Sequence, residues 1–141
     1  MINKILVGTD GSDHAGRALK YAGELAAQCG AEVIVAAVDR PGPIPKALRE
    51  YALSEDISHG EIYEAVGQSG AEAVKKDGAT VVDIQILTGD AAVAIVEAAV
   101  KEDVDAIILG SRGHGAVAEI LLGSVSRKVL HMAKKPTLVV P

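Results

Sequence analysis

Five short apolar runs alternate along the chain with longer segments in which apolar residues recur every three or four positions. The runs have the length and the branched side chains of buried β-strands. They are Lys4–Gly8, Glu32–Val38, Thr80–Leu87, Asp105–Leu109 and Thr137–Val140. The segments between them have the spacing of amphipathic helices. This order predicts an α/β fold, a single doubly wound five-stranded parallel sheet with helices on both faces.

Local signals refine the elements between the strands. Residues 39–58 are irregular because of three prolines, and a short helix is expected at 46–53. Ser58 and Glu61 have capping-box spacing before the third helix, in which Gly67 and Gly70 are expected to reduce rigidity. Asp90 is expected to cap the fourth helix, and the last helical region covers residues 121–132. Alternating polarity in the third strand predicts one less covered face.

Composition limits the type of protein. The 141 residues predict one domain over 1–141, with 49% hydrophobic residues but no Phe or Trp, so that Ala, Val, Ile and Leu form the core. Cys29 lies on the apolar face of the first helix and is expected to be a buried, inert thiol. A net charge of −5 argues against non-specific nucleic-acid binding. No apolar run approaches the ~20 residues of a membrane span, and we expect a cytoplasmic protein.

The main candidate for chemistry is a glycine motif after the fourth strand. Gly110-Ser111-Arg112-Gly113 follows an apolar run, and Gly123-Ser124 opens the last helix. Glycines allow backbone N–H groups to approach an anion, and the helix start adds further N–H groups and a positive dipole end. Taken alone, the motif fits a tight turn or a phosphate site. The strand before it and the helix after it favour a phosphate site.

Two loops at strand ends carry the unusual residues. One is Thr9-Asp10-Gly11 after the first strand, and the other is the Gly110 motif after the fourth. Ligands of doubly wound sheets bind outside the carboxyl ends of the strands, where the winding reverses. If one ligand contacts both loops, the first and fourth strands are neighbours, which predicts the strand order 3-2-1-4-5.

These residues resemble the universal stress protein family, in its ATP-binding subgroup. That subgroup carries Gly-x2-Gly-x9-Gly-Ser/Thr, and Gly110, Gly113, Gly123 and Ser124 meet it at every position. The opening residues 4–12 and the ending residues 136–140 also look like the family's first and last strands. The resemblance implies that the chain binds ATP, with Mg²⁺ or Mn²⁺, and forms a homodimer through the strand Thr137–Val140.

The resemblance also implies roles for individual residues. Asp10, beside Thr9, would contact the nucleoside, and Val38 would line the adenine pocket. Gly110 and Gly113 would admit ribose and phosphates. Gly123, Ser124 and Val125 would give backbone N–H groups to the phosphates, with hydroxyls from Ser124 and Ser126. Apart from the resemblance, the basic residues Arg112 and His114 lie inside the motif and are expected to approach the phosphates. No residue is predicted to be catalytic or to bind metal directly.

Three functions are open at this level. The first is an ATP-binding stress-response or regulatory protein with little or no hydrolysis. The second is an enzyme, either a slow nucleotide hydrolase or an adenylyl-type transferase, although the sequence shows no base and nucleophile at readable spacing. The third is a dimeric module that binds an unknown protein partner.

Overall fold

The computed structural model describes residues 1–114 and 122–141. Strands and helices alternate over these residues, and a single 3₁₀ turn, His59–Glu61, precedes the third helix. The elements are β1 (Lys4–Thr9), α1 (Asp13–Cys29), β2 (Glu32–Asp39), α2 (Lys46–Ser54), α3 (Ile62–Lys75), β3 (Thr80–Thr88), α4 (Ala91–Lys101), β4 (Ala106–Gly110), α5 (Ser124–Met132) and β5 (Thr137–Val140). Leu121, predicted in the last helical region, lies outside the described residues, and α5 begins at Ser124.

All five strands pair in parallel, in the predicted order 3-2-1-4-5. β1 lies at the centre, with Ile5 opposite Val33 of β2 on one side and opposite Ala106 of β4 on the other. The carboxyl ends of β1, β2 and β4 therefore meet at one edge of the sheet, and β3 and β5 are its terminal strands. The predicted fold class is confirmed.

Helices cover both faces of the sheet. Successive side chains of a strand point to opposite faces, so β1 directs Ile5 and Val7 to one side and Leu6 to the other. Ile5 and Val7 pack with alanines and branched residues of α1 and α3. Leu6 packs with Ile95 of α4 and Val129 of α5. The small alanines allow the helices to approach the sheet closely.

The glycines of α3 lie where the helix packs closely on the sheet. A Cβ at Gly67 would lie 2.8 Å from Ile84 Cγ2, and one at Gly70 would lie 3.1 Å from Val35 Cγ1. Both glycines are buried in the middle of α3. Their missing side chains let α3 rest directly on β2 and β3, and the expectation that they reduce the rigidity of α3 stays a prediction.

A bulge changes the expected face pattern of β3. Val33 pairs with Val81 and Ile34 pairs with Asp83, so Val82 is an extra residue on the edge strand. Val82 is 47% exposed, whereas Val81 and Ile84 both pack on the α1 and α3 side. The predicted alternation of covered and less covered side chains along β3 is therefore interrupted at Val82.

Two local predictions at helix ends are wrong, and one is confirmed. Cys29 is exposed, because it is the last residue of α1, immediately before the left-handed Gly30. Ser58 donates to Glu61 Oε2 over 2.8 Å, but its side chain accepts no backbone N–H, so the reciprocal capping box is not formed. Asp90 does cap α4, accepting the Val93 N–H at 3.0 Å. Within the described residues, none of the helices combines the length and apolar character needed to cross a bilayer.

Candidate functional site

One cavity of ≈ 620 Å³ opens at the carboxyl ends of β1, β2 and β4 and extends to the start of α5. This volume is typical of small-molecule sites. Every residue that the sequence predicted for the site lies in its wall, namely Thr9, Asp10, Val38, Gly110, Arg112, Gly113, His114, Gly123, Ser124, Val125 and Ser126. The wall also contains residues that the sequence analysis did not select, which are Gly8, Ala15, Arg40, Ala91, Ile95, Leu109, Leu122 and Arg127.

The turn after β1 fixes the Asp10 carboxylate. Asp10 Oδ1 accepts the Ser12 N–H at 2.9 Å, and the buried Thr9 hydroxyl accepts the Gly11 N–H at 3.2 Å. Gly11 has a φ of +81°, which a residue with a side chain rarely adopts. Ser12 then caps α1 by accepting the Ala15 N–H at 3.3 Å. The Asp10 carboxylate is therefore held at the cavity by the backbone N–H of Ser12.

The glycines after β4 are required by protein packing. A Cβ at Gly110 would lie 2.7 Å from the His14 carbonyl carbon, inside the backbone of α1. A Cβ at Gly113 would lie 2.5 Å from Asp10 Oδ2. Packing on the α1 backbone thus accounts for Gly110, whereas a side chain at position 113 would displace the Asp10 carboxylate. The predicted closeness of both glycines to ribose and phosphates stays a prediction.

Ser111 joins the cavity wall to three other elements. Its N–H donates to Val140 O over 2.7 Å, and its carbonyl oxygen accepts both the Gly123 N–H at 2.6 Å and the Ser126 hydroxyl at 2.8 Å. Its own hydroxyl lies 3.3 Å from His14 Nδ1. Burial, and then the charge of Arg112, lower the pKa of His14. These bonds connect the loop after β4 to β5, α5 and α1.

The start of α5 faces the cavity. Its first intrahelical bond runs from the Arg127 N–H to Gly123 O over 3.1 Å, so the N–H groups of Ser124, Val125 and Ser126 have no partner within the helix. The Gly123 N–H and the Ser126 hydroxyl both bond to Ser111 O and hold the loop. The phosphate donors that stay predicted for this segment are the N–H groups of Ser124, Val125 and Ser126 and the exposed Ser124 hydroxyl.

Two arginines lie near this helix start, and a histidine lies beside the turn after β1. Arg112, His114 and Arg127 all lie in the cavity wall. His114 Nε2 lies 2.6 Å from Asp10 O, and because a carbonyl oxygen only accepts, Nε2 carries the proton. Lys128 is paired instead with Asp90 at 2.8 Å, and this bond is the main cause of the lowered pKa of Asp90. The arrangement suits an anion at the α5 end of the cavity.

A second, smaller cavity of ≈ 40 Å³ adjoins the first. We call it the side pocket, and its walls are Asp10, Val38, Arg40, Pro41, Pro43, Pro45, Leu48, Tyr63 and His114. Burial, and then the charge of Asp39, raise the pKa of Tyr63. Arg40 could have been found from the sequence, since it follows the end of β2 at the predicted ligand edge. Tyr63 could not, because α3 brings it there from a distant part of the chain.

The cavity lies at the carboxyl ends of the strands of a doubly wound sheet, where ligands of such sheets bind. Comparison with known proteins identifies the family. The model of the universal stress protein family matches residues 1–141. The chain therefore belongs to the universal stress protein family. A universal stress protein of Thermus aquaticus is 39% identical over 140 residues, covering 99% of each chain.

Solved structures of similar fold include two nucleotide complexes. A universal stress protein in complex with cAMP has a TM-score of 0.75 and 30% identity, covering 99% of this chain and 97% of the other. The universal stress protein from Archaeoglobus fulgidus in complex with dAMP has a TM-score of 0.69 and 26% identity, covering 100% of both chains. Adenine nucleotides thus bind to proteins that share this fold.

Proposed function

We propose that this chain is a single nucleotide-binding domain that binds ATP and acts as a nucleotide-responsive regulatory protein in the cytoplasm, with little or no hydrolysis. The observation that carries the proposal is the cavity in which the start of α5, with its unbonded N–H groups, faces the Asp10 carboxylate at the end of β1. An anion fits the first end and a hydrogen-bond donor of a nucleoside fits the second. The cAMP and dAMP complexes of related proteins support an adenine nucleotide as the ligand.

The residues present fit a triphosphate. The α5 end of the cavity presents N–H groups of Ser124 and Val125, the Ser124 hydroxyl and the cations Arg112 and Arg127. Such donors stabilise phosphate charge without a lysine of the Walker type. The part of the wall at the end of β2, where Val38 is buried, is apolar and suits a base. This polarity gives the nucleotide a direction, with phosphates at α5 and the base at the end of β2.

A divalent cation would add charge neutralisation between phosphate oxygens. Mg²⁺ usually takes one or two carboxylates together with phosphates and waters. Among the described residues of the cavity wall, Asp10 is the one carboxylate, and its Oδ1 already accepts the Ser12 N–H. We therefore expect Mg²⁺ or Mn²⁺ to be held mainly by the nucleotide.

Assembly into a homodimer is part of the proposal. β5 is a terminal strand of the sheet, and Leu138 on it is 43% exposed. A strand at a sheet edge has backbone N–H and C=O groups that can pair with another strand, and an exposed apolar side chain on it favours burial against a second chain. Leu130 and Met132 of α5 are exposed as well, at 43% and 37%. Pairing of β5 with the same strand of a second copy would cover this edge.

The test combines identification of the ligand with turnover. The protein is purified, denatured, and the released small molecules are identified by mass spectrometry, and we expect an adenine nucleotide. Phosphate release is then measured at saturating Mg-ATP, and we expect a rate below about 1 s⁻¹, the low end of enzyme rates. Absence of nucleotide together with no ATP binding in calorimetry would contradict the proposal. Turnover above that rate would favour the hydrolase alternative.

A further inference from the structure

The side pocket belongs to the same ligand site as the main cavity. Asp10, Val38, Arg40 and His114 line both cavities, so the two meet along this wall. Its ≈ 40 Å³ accommodates a water molecule or a small substituent, far less than the 300 Å³ or more of an independent ligand site. The side pocket can therefore receive only one edge of a molecule that occupies the main cavity.

The side pocket lies at the end where the base is expected. This step rests on the proposed function, which places the phosphates at the start of α5. Val38 and Arg40 come from the end of β2, which lies on the opposite side of β1 from β4 and the glycine motif. The edge of the ligand that faces the side pocket is consequently an edge of the base.

Four polar side chains of the described residues line the side pocket, namely Asp10, Arg40, Tyr63 and His114. Asp10 Oδ1 accepts the Ser12 N–H and His114 Nε2 bonds to Asp10 O, so we assign recognition to the other two. The Arg40 guanidinium only donates, whereas the Tyr63 hydroxyl both donates and accepts. A phenol keeps its proton at neutral pH, and burial raises the pKa of Tyr63 further. The facing wall contains Pro41, Pro43 and Pro45, whose fixed φ angles favour a preformed shape.

We propose that the side pocket recognises the edge of adenine that carries N7 and the amino group. On that edge an acceptor, N7, stands beside a donor, the amino group. Arg40 donates to N7, and the Tyr63 oxygen accepts from the amino group. Arg40 and Tyr63 are thus specificity-determining residues, and a pyrimidine, which has no N7, loses the Arg40 bond.

The test uses ATP analogues that each lack one of the two hydrogen-bonding groups, N7 or the amino group. Calorimetric titrations compare ATP with 7-deaza-ATP, in which N7 is replaced by a carbon, on the wild type and on Arg40→Met. We expect 7-deaza-ATP to bind the wild type about tenfold more weakly than ATP, as for a hydrogen bond to a charged group. In Arg40→Met, the two nucleotides should bind within about twofold of each other, the usual limit of additivity.

The second arm tests Tyr63 with its own matched control. Purine riboside triphosphate lacks the amino group, so it should bind the wild type and Tyr63→Phe alike, whereas ATP should bind Tyr63→Phe several-fold more weakly. Tyr51→Phe is the control, because Tyr51 lies on α2, is 36% exposed and is not among the described walls of either cavity. Thermal melts confirm that each variant is folded.

The outcomes separate this inference from the proposed function. Equal binding of ATP and 7-deaza-ATP by the wild type would overturn the N7 contact and leave ATP binding intact. An unchanged ratio of the two affinities in Arg40→Met would overturn the assignment to Arg40. An equal loss of ATP and purine riboside triphosphate in Tyr63→Phe would overturn the amino-group contact. Failure of the folded wild type to bind ATP would overturn both the function and the inference.

Discussion

Gly113→Ala tests the contact between the glycine loop and the β1 turn. The new Cβ would lie 2.5 Å from Asp10 Oδ2, whereas an ordinary contact starts at 3.4 Å, so the two groups must separate by about 0.9 Å. Asp10 Oδ1 is held by the Ser12 N–H at 2.9 Å, and a shift of that size in the carboxylate breaks this bond. The Asp10 carboxylate would then leave its position at the cavity.

The expected magnitude follows from the bonds that are lost. Loss of the Ser12 bond, partly exposed to solvent, costs about 1 kcal/mol, which lowers Tm by about 3 °C in a chain of this size. If Asp10 also accepts a hydrogen bond from the nucleoside, ATP affinity falls by about three- to tenfold. Thermal melts and calorimetric titration with ATP measure the two effects separately.

Gly16→Ala is the matched control. Gly16 lies in α1 with no other atom within 4 Å of an added Cβ, so alanine should stabilise the helix by about 0.5–1 kcal/mol and leave ATP affinity unchanged. An unchanged Tm and affinity in Gly113→Ala would refute the contact of this loop with Asp10. A lowered Tm with normal affinity would refute the role of Asp10 in nucleoside binding.

Three further predictions follow from the same loop and from the sheet edge. Ser126→Ala should lower Tm by about 3 °C but change ATP affinity by less than about twofold, since its hydroxyl bonds to Ser111 O; a tenfold loss of affinity would make Ser126 a ligand contact. A Cβ at position 123 would lie 3.3 Å from Arg112 Cα, so Gly123→Ala should fit and bind ATP, whereas the extra methyl groups of Gly123→Val should displace the loop and abolish binding. Equal ATP affinities of the two variants in calorimetry would contradict this. Leu138→Glu on β5 should give a folded monomer in light scattering, and a wild type that is already monomeric at micromolar concentration would contradict the dimer.

The element order, and the edge of the sheet at which the cavity lies, could be predicted from the sequence because both follow from the order of strands and helices. Alternating apolar runs and helical spacing identify a doubly wound sheet without any knowledge of contacts. A single ligand in contact with the loops at Asp10 and Gly110 requires β1 and β4 to be neighbours, and the sheet has that order. Both loops follow strand ends, so their meeting at one edge is a property of parallel strands.

Features that depend on a partner element could not be read in this way. The bulge at Val82 arises from the register between β2 and β3, which neither strand reveals alone. The sequence shows Gly67 and Gly70 only as residues of low helix propensity, because their close packing on Ile84 and Val35 depends on the neighbouring strands. Tyr63 joins the side pocket only because α3 packs beside the end of β2.

The glycine motif does not by itself show which of its backbone donors bind a ligand. From the sequence, a backbone N–H that is hydrogen-bonded within the loop cannot be distinguished from one that is available to bind a phosphate. In the structure, Ser111 O takes up the Gly123 N–H and the Ser126 hydroxyl, so these two donors maintain the shape of the cavity. The same residue bonds Val140 at the end of β5. The internal hydrogen bonds of the loop therefore determine which donors at the start of α5 can bind a ligand. Some residues of the motif maintain the shape of the cavity, and others are available for contact with the ligand.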